Sequence, residues 1–332
     1  MKRIITLFLT LALALSLAAC AAPGEKADDG RLQIVATLFP YYDFARAIAG
    51  DRADVTLLLS PGREAHSFEP TPLDAVTISE ADVFLYNGGE GEYWVEEMLD
   101  AAGEHIAVKA RMMDYVDALG EEFSEGMQGA DEHGHDHDHD DHDHDHEEDE
   151  HDSDKVEYDE HIWTSPKNAA ILCRAVCEAI CKADPANEDF YRANCDDYCA
   201  QIEALDARFA DLCESAPRKL LIFADRFPML YFCREYGLDY RAAFHGCSGD
   251  TEPSLATIKY LIDKVEDENI PVVYTIDFGT KKVAAVVSEC TGAAIETIYS
   301  MQTVSRADFD AGETYLTLME RNFEALRKGL NE

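Results

Sequence analysis

Positive charge is scarce in this sequence: 28 Lys and Arg face 67 Asp and Glu, a formal net charge of −39 over 332 residues. A surface this acidic excludes a partner held mainly through phosphates or anionic lipid, so nucleic acid is not an expected ligand. Catalytic signatures are missing as well. There is no His-Glu-x-x-His and no nucleophile elbow, and Gly88-Gly89-Glu90-Gly91 lacks the lysine and the spacing of a phosphate-cradling loop. The apolar run from Ile4 to Leu17 is too short to cross a bilayer. What the chain has is 47% hydrophobic residues in periodic segments, and a length that suits about two domains, each able to bury a core.

Much of the negative charge is local. Fourteen carboxylates lie between Asp131 and Asp154, and without them the formal charge falls to −25, a remainder that still attracts cations. Lys2 and Arg3 precede the apolar run in the order of a secretory signal. The run closes in Leu17-Ala18-Ala19-Cys20, which resembles a bacterial lipobox, where the signal is cut before a cysteine that is then lipidated. Residues 1–20 are read as a lipoprotein signal peptide, and residues 21–31, small, polar and charged, as a flexible tether. The expected mature protein is extracytoplasmic and bound to the cell membrane by a lipid on Cys20.

Nine cysteines remain after Cys20, an odd number that argues against a complete disulfide framework. Cys173, Cys177 and Cys181 lie four residues apart, as do Cys195 and Cys199, which places each set on one helix face. Two readings stand: a thiolate metal site, or small apolar residues packed between helices, with no Cys-x-x-Cys pair present and packing the favoured one.

The periodicity predicts strands over 32–39, 54–59 and 81–86, with helices over 41–49 and 94–102 between and after them. A helix over 166–183 and a long one over 186–213 follow, then strands over 219–224, 240–244 and 271–276 alternating with helices over 228–236, 254–268 and 280–291, and a last helix over 315–330. Such alternation implies parallel sheets and an α/β architecture. The stretch from about Gly120 to Tyr158 has almost no apolar residues, cannot offset the entropy of ordering, and is predicted to be a disordered insertion.

That insertion holds eight of the twelve histidines, His133, His135, His137, His139, His142, His144, His146 and His151, amid the carboxylates. Imidazole and carboxylate at this density collect divalent metals late in the first-row series, zinc included, through weak, redundant, fast-exchanging sites. A specific site needs a few ligands fixed by rigid elements, and in α/β lobes the loops at the carboxyl ends of strands are the natural place. His66 follows a predicted strand, and His161 stands just ahead of a predicted helix. Asp225 and Asp277 each follow a predicted strand end.

The lipobox, His66-Ser67-Phe68-Glu69-Pro70-Thr71-Pro72 after a strand, the histidine-rich insertion and Asp159-Glu160-His161-Ile162-Trp163 together resemble the zinc- and manganese-binding solute-binding proteins of ABC importers. Tyr236-Gly237-Leu238, Glu252-Pro253-Ser254 and Asp277 occur in the same order as in that family, so the resemblance spans essentially the whole mature chain. It implies an α/β fold of two lobes, each a mainly parallel sheet flanked by helices, joined by one long rigid helix, with a metal in the cleft and two ligands from each lobe. The expected division is a first lobe over 32–185 carrying the insertion, a linking helix over 186–215 and a second lobe over 216–332.

His66 and His161 match the family's first-lobe histidines, and Asp277 its last carboxylate ligand. The third ligand departs from the family, whose stretch resembling His-Asp-Ala-Phe is here Phe223-Ala224-Asp225-Arg226-Phe227. Asp225 is the nearest candidate and His245 the alternative. Two imidazoles and two carboxylates suit zinc or manganese; the histidine-rich insertion favours zinc, since manganese has the lowest affinity for nitrogen donors. The expected function is capture of zinc and its delivery to an ABC permease by a monomer that is not an enzyme. The alternatives are a surface metal buffer or adhesin acting through the insertion, and a zinc-dependent hydrolase.

Overall fold

The computed structural model describes residues 30–63, 68–102, 106–128, 157–247 and 252–331. The first lobe begins with β1 (Leu32–Ala36) and helix α1 (Phe39–Ala49), which has Pro40 in its first turn and ends where Gly50 takes φ +57. A side chain at Gly50 would also press on Phe190, so glycine is needed there twice over. Next come β2 (Ala53–Leu57), α2 (Pro72–Ser79) with a Thr71/Asp74 capping box, β3 (Val83–Tyr86), α3 (Trp94–Ala102) and β4 (Val108–Arg111). All pairings are parallel, in the order β2-β1-β3-β4. The central β3, Val-Phe-Leu-Tyr, is buried at every residue, as a strand covered on both faces must be.

Helix α4 (Pro166–Ala183) starts at the Ser165 cap, and α5 (Glu188–Ser215) runs 28 residues, ~42 Å at 1.5 Å per residue. The second lobe consists of β5 (Leu220–Phe227), α6 (Leu230–Tyr236), β6 (Asp239–His245), α7 (Leu255–Asp267), β7 (Val272–Ile276), α8 (Lys282–Thr291), β8 (Ala294–Ile298), α9 (Arg306–Ala311) and α10 (Tyr315–Asn331). Its sheet is parallel in the order β6-β5-β7-β8. Two parallel four-stranded sheets flanked by helices, with a long helix between the lobes, are the architecture expected from the sequence.

One apolar core runs from Leu32 in β1 through α4 and α5 to Leu330 in α10, so the lobes share it; a smaller one, with Ile222, Phe244, Leu261, Val273 and Val287, fills the far side of the second sheet. Asp43 of α1, 1% exposed, accepts from the Tyr198 hydroxyl of α5 and, at 2.9 Å, from the Tyr315 N–H that opens α10. The last helix is thereby tied into the first lobe.

Three local features differ from the sequence reading. Strand β5 continues to Phe227 with a register shift between Phe223 and Arg226, so Asp225 sits in a bulge inside the strand and not after its end. Residues 120–128, expected to begin the disordered insertion, are packed: Glu121 N–H donates to the Glu157 carbonyl at 2.8 Å and Gln128 N–H to the Ala243 carbonyl of β6 at 3.0 Å. Gly126, at φ +77, lies under the Tyr260 ring. The short elements β4, β8, α2 and α9 were not expected.

Candidate metal centre

His161 is 2% exposed and stands at the start of a tight turn, Ile162–Thr164, that leads into α4. Asp159 Oδ1 accepts the His161 backbone N–H at 2.8 Å and lies 3.1 Å from Nδ1 of its ring. With the proton on Nδ1 facing a carboxylate, the Nε2 lone pair is the one offered to an ion. Burial alone pulls the imidazole pKa down, but Asp159 beside it, with Glu121 and Glu160 behind, outweighs burial and holds it above its ordinary value. The edge of the His161 ring meets Trp163 at a centroid distance of 5.7 Å.

The opposite wall belongs to the second lobe. Trp163 Nε1–H donates to the Ser300 carbonyl at 2.8 Å, and Ser300 N–H donates to Asp277 Oδ1 at 3.2 Å. Asp277, the residue after β7, is thus connected to the His161 turn through two hydrogen bonds and one indole. Asp225 lies one strand away. Its Oδ1 takes the Arg226 N–H at 2.9 Å and its Oδ2 the Ile276 N–H at 3.4 Å. A side chain on Gly279 would overlap Oδ2, so the glycine makes room for the carboxylate.

His245, the last residue of β6, is half-buried, with Nδ1 3.6 Å from Glu121 Oε2 and its ring 5.1 Å from that of Phe123. Glu121 Oε1 accepts the Cys247 N–H at 3.2 Å. Burial raises the Glu121 carboxyl, yet contacts with His245 and Cys247 and the charge of His161 bring it below its usual value. Gly246 passes so close to the first-lobe donors that a Cβ there would stand 3.1 Å from His161 Nδ1 and 2.8 Å from the Phe227 carbonyl.

His245 and Asp277 stand at the carboxyl ends of β6 and β7, Asp225 in the bulge of the neighbouring β5, and His161 at the turn that meets them through Gly246 and through Trp163 and Ser300. Among the described residues, no three of these donors have ligand atoms within 4.8 Å of one another. His66 lies outside the described residues, as do Cys20 and the eight insertion histidines. Phe68, just beyond His66 in sequence, is buried edge-on against Trp94 at 5.2 Å. Sequence reasoning missed Glu121 and Asp159. Asp159 had a signal, a carboxylate two residues before a candidate ligand; Glu121 had none, being one acid among many.

A sequence profile of the family described as zinc-uptake complex component A, periplasmic (ZnuA), matches residues 34–329. Over 328 residues the chain is 32% identical to the high-affinity zinc uptake system protein ZnuA of Bacillus subtilis, a match covering 98% of this chain and 97% of the relative. It is 30% identical over 329 residues to the zinc-binding lipoprotein AdcA of Streptococcus pneumoniae, covering 99% of this chain but only 61% of that relative's length. Among solved structures, the Zn(II)-bound ZnuA-like domain of Streptococcus pneumoniae AdcA superposes with a TM-score of 0.71 at 25% identity, covering 91% of this chain and 100% of the domain. The metal-dependent lipoprotein YcdH of Bacillus subtilis gives 0.72 at 28% identity, covering 90% and 100%.

Proposed function

The chain belongs to the family of periplasmic zinc-uptake components A, and from that membership we propose that it captures zinc outside the cytoplasm and passes it to an ABC-type permease. The ion sits in the cleft, held by His66 and His161 of the first lobe and by Asp277 and Asp225 of the second. The observation that carries this reading is the buried Asp159–His161 pair, which fixes one imidazole tautomer and leaves a nitrogen lone pair for a metal. Asp225 is supported by its place beside β7, within hydrogen-bonding reach of the residue before Asp277. His245 is the alternative donor, supported by its contact with Glu121 at the chain segment that touches His161.

Zinc is favoured over manganese because the donors are rich in imidazole and the insertion carries eight more. Residues 131–154 act as a collector that raises the local zinc concentration near the cleft. The protein works as a monomer anchored through a lipid on Cys20; no helix among the described residues is long and apolar enough to cross a membrane. It catalyses no reaction: the zinc is cargo. Calorimetry on a variant lacking residues 131–154 tests the reading. One tight zinc site should survive that deletion and disappear when His66 and His161 are both changed to Ala; loss of tight binding with the deletion alone would instead assign the work to the insertion.

A further inference from the structure

Zinc capture in the cleft makes no use of the helix pair α4 and α5. Cys173, Cys177 and Cys181 fall on the buried stripe of α4, Cys195 and Cys199 on that of α5, all at most 5% exposed and none in a disulfide. The sulfurs of Cys173, Cys195 and Cys199 all lie within 4.8 Å of one another. Cys195 Sγ is 3.8 Å from Cys199 Sγ, and Cys177 touches the same group from α4. Metal–sulfur bonds of about 2.3 Å in a tetrahedron set the sulfurs roughly 3.8 Å apart, the spacing of the Cys195–Cys199 pair, and the third sulfur lies within 4.8 Å of both.

Packing alone does not require this convergence, since alanine or valine would fill the same stripe. The two α5 thiols also donate weak hydrogen bonds to α4 carbonyls, Cys195 to Cys173 at 3.8 Å and Cys199 to Ala170 at 3.7 Å, which brings both sulfurs against the neighbouring helix. Hydrogen bonds from Cys173, Cys177 and Cys199 hold the Cys195 thiol below its ordinary value. Arg174 of α4, paired with Glu203, also sets a positive charge near Cys199 and Cys195 of α5.

We propose that Cys173, Cys195 and Cys199 form a buried three-thiolate site between α4 and α5 for a thiophilic d10 cation, separate from the oxygen and nitrogen donors of the cleft. Binding releases the thiol protons to solvent, and because the sulfurs are sealed the ion enters as the helices pack. Sulfur donors select Cu(I) and Zn(II) over the harder divalent ions.

The test is to refold the reduced protein without oxygen in the presence of Cd(II), remove loose metal with a chelator, and record the thiolate-to-cadmium charge-transfer absorption in the ultraviolet. Cd(II) on carboxylates and imidazoles gives no such band, so the cleft and the insertion are silent. The band should report one ion, persist in Cys247→Ser/Cys290→Ser, and fall at least ten-fold in Cys173→Ala/Cys195→Ala/Cys199→Ala. Should the triple variant not fold, Cys195→Val stays apolar at this buried position and should still lose most of the band and the rise in Tm that Cd(II) gives. Displacement by Cu(I) alone, or by Zn(II) as well, then separates the two natural sources. Absence of the band in the parent protein, or its survival in Cys195→Val, would overturn the proposal.

Discussion

The indole N–H of Trp163 and the backbone carbonyl of Ser300 meet at 2.8 Å, a hydrogen bond from the turn that carries His161 to the loop that positions Asp277. Trp163 is fully buried, so nothing from solvent replaces that donor. Trp163→Phe keeps most of the ring but leaves the Ser300 carbonyl unmatched. We expect a stability loss of about 1–3 kcal/mol by thermal unfolding and a weaker zinc affinity in a chelator competition, with the fold retained by circular dichroism. Unchanged affinity would mean the two walls of the cleft are positioned independently.

In the proposed site Asp159 acts on the ion through His161, whose ring and backbone N–H it holds. Asp159→Asn should lower zinc affinity about 10–100-fold, the usual cost of losing a carboxylate behind a ligating imidazole. It also changes the pH response. Since Asp159 stabilises protonated His161, protons compete with zinc at a higher pH in the parent than an ordinary histidine would allow. The affinity of the parent should therefore begin to fall on acidification sooner than that of Asp159→Asn, as followed by competition titrations at a series of pH values.

Asp225 and His245 are distinguishable by measurement. If Asp225 is the third ligand, Asp225→Ala weakens zinc binding far more than His245→Ala, and X-ray absorption of the zinc complex shows two imidazoles per ion. Three imidazoles, with His245→Ala the more damaging change, would transfer the role to His245.

Glu92 is buried in the wall of the first lobe, where Oε2 accepts the Gly88 N–H at 2.8 Å and Oε1 meets no donor among the described residues. Burial lifts its carboxyl to about 7. The folded protein then holds this proton more tightly than the unfolded chain, whose Glu titrates near 4.5. Stability should fall as pH rises between those values, and the cost is complete above about 7. Glu92→Gln removes it: denaturant unfolding at pH 8 should show a gain on the order of 2 kcal/mol that vanishes near pH 4.5. A gain that does not depend on pH would show that ionisation of Glu92 is not its source.

Most of the architecture was legible because the long elements obey clear periods. Helix bounds at Trp94–Ala102 and Pro166–Ala183 match the expected ones residue for residue, since each opens at a distinct boundary and keeps an apolar stripe to its end. Strands β4 and β8 escaped notice because they are short edge elements: Val108–Arg111 alternates over only four residues, and Ala294–Ile298 buries only its last. His161 and Asp277 were visible as donors at element boundaries. The bulge under Asp225 was not, because it depends on the register with β6, a pairing that no local pattern encodes. Glu121 was invisible for the opposite reason: in a run rich in acid, one carboxylate folded back between two histidines has no contrast with its neighbours.

Asp43 leaves the ribosome early, yet the backbone N–H of Tyr315 that satisfies it comes 272 residues later. A nascent chain cut off or paused before α10 would bury a carboxylate lacking one of its donors, a costly state in an apolar interior. The first lobe therefore cannot reach its final packing while the chain is still being threaded out in sequence order. Truncation at α10 is therefore a defect felt at the opposite end of the molecule, where Asp43 keeps Arg46 and Tyr198 but loses the Tyr315 N–H.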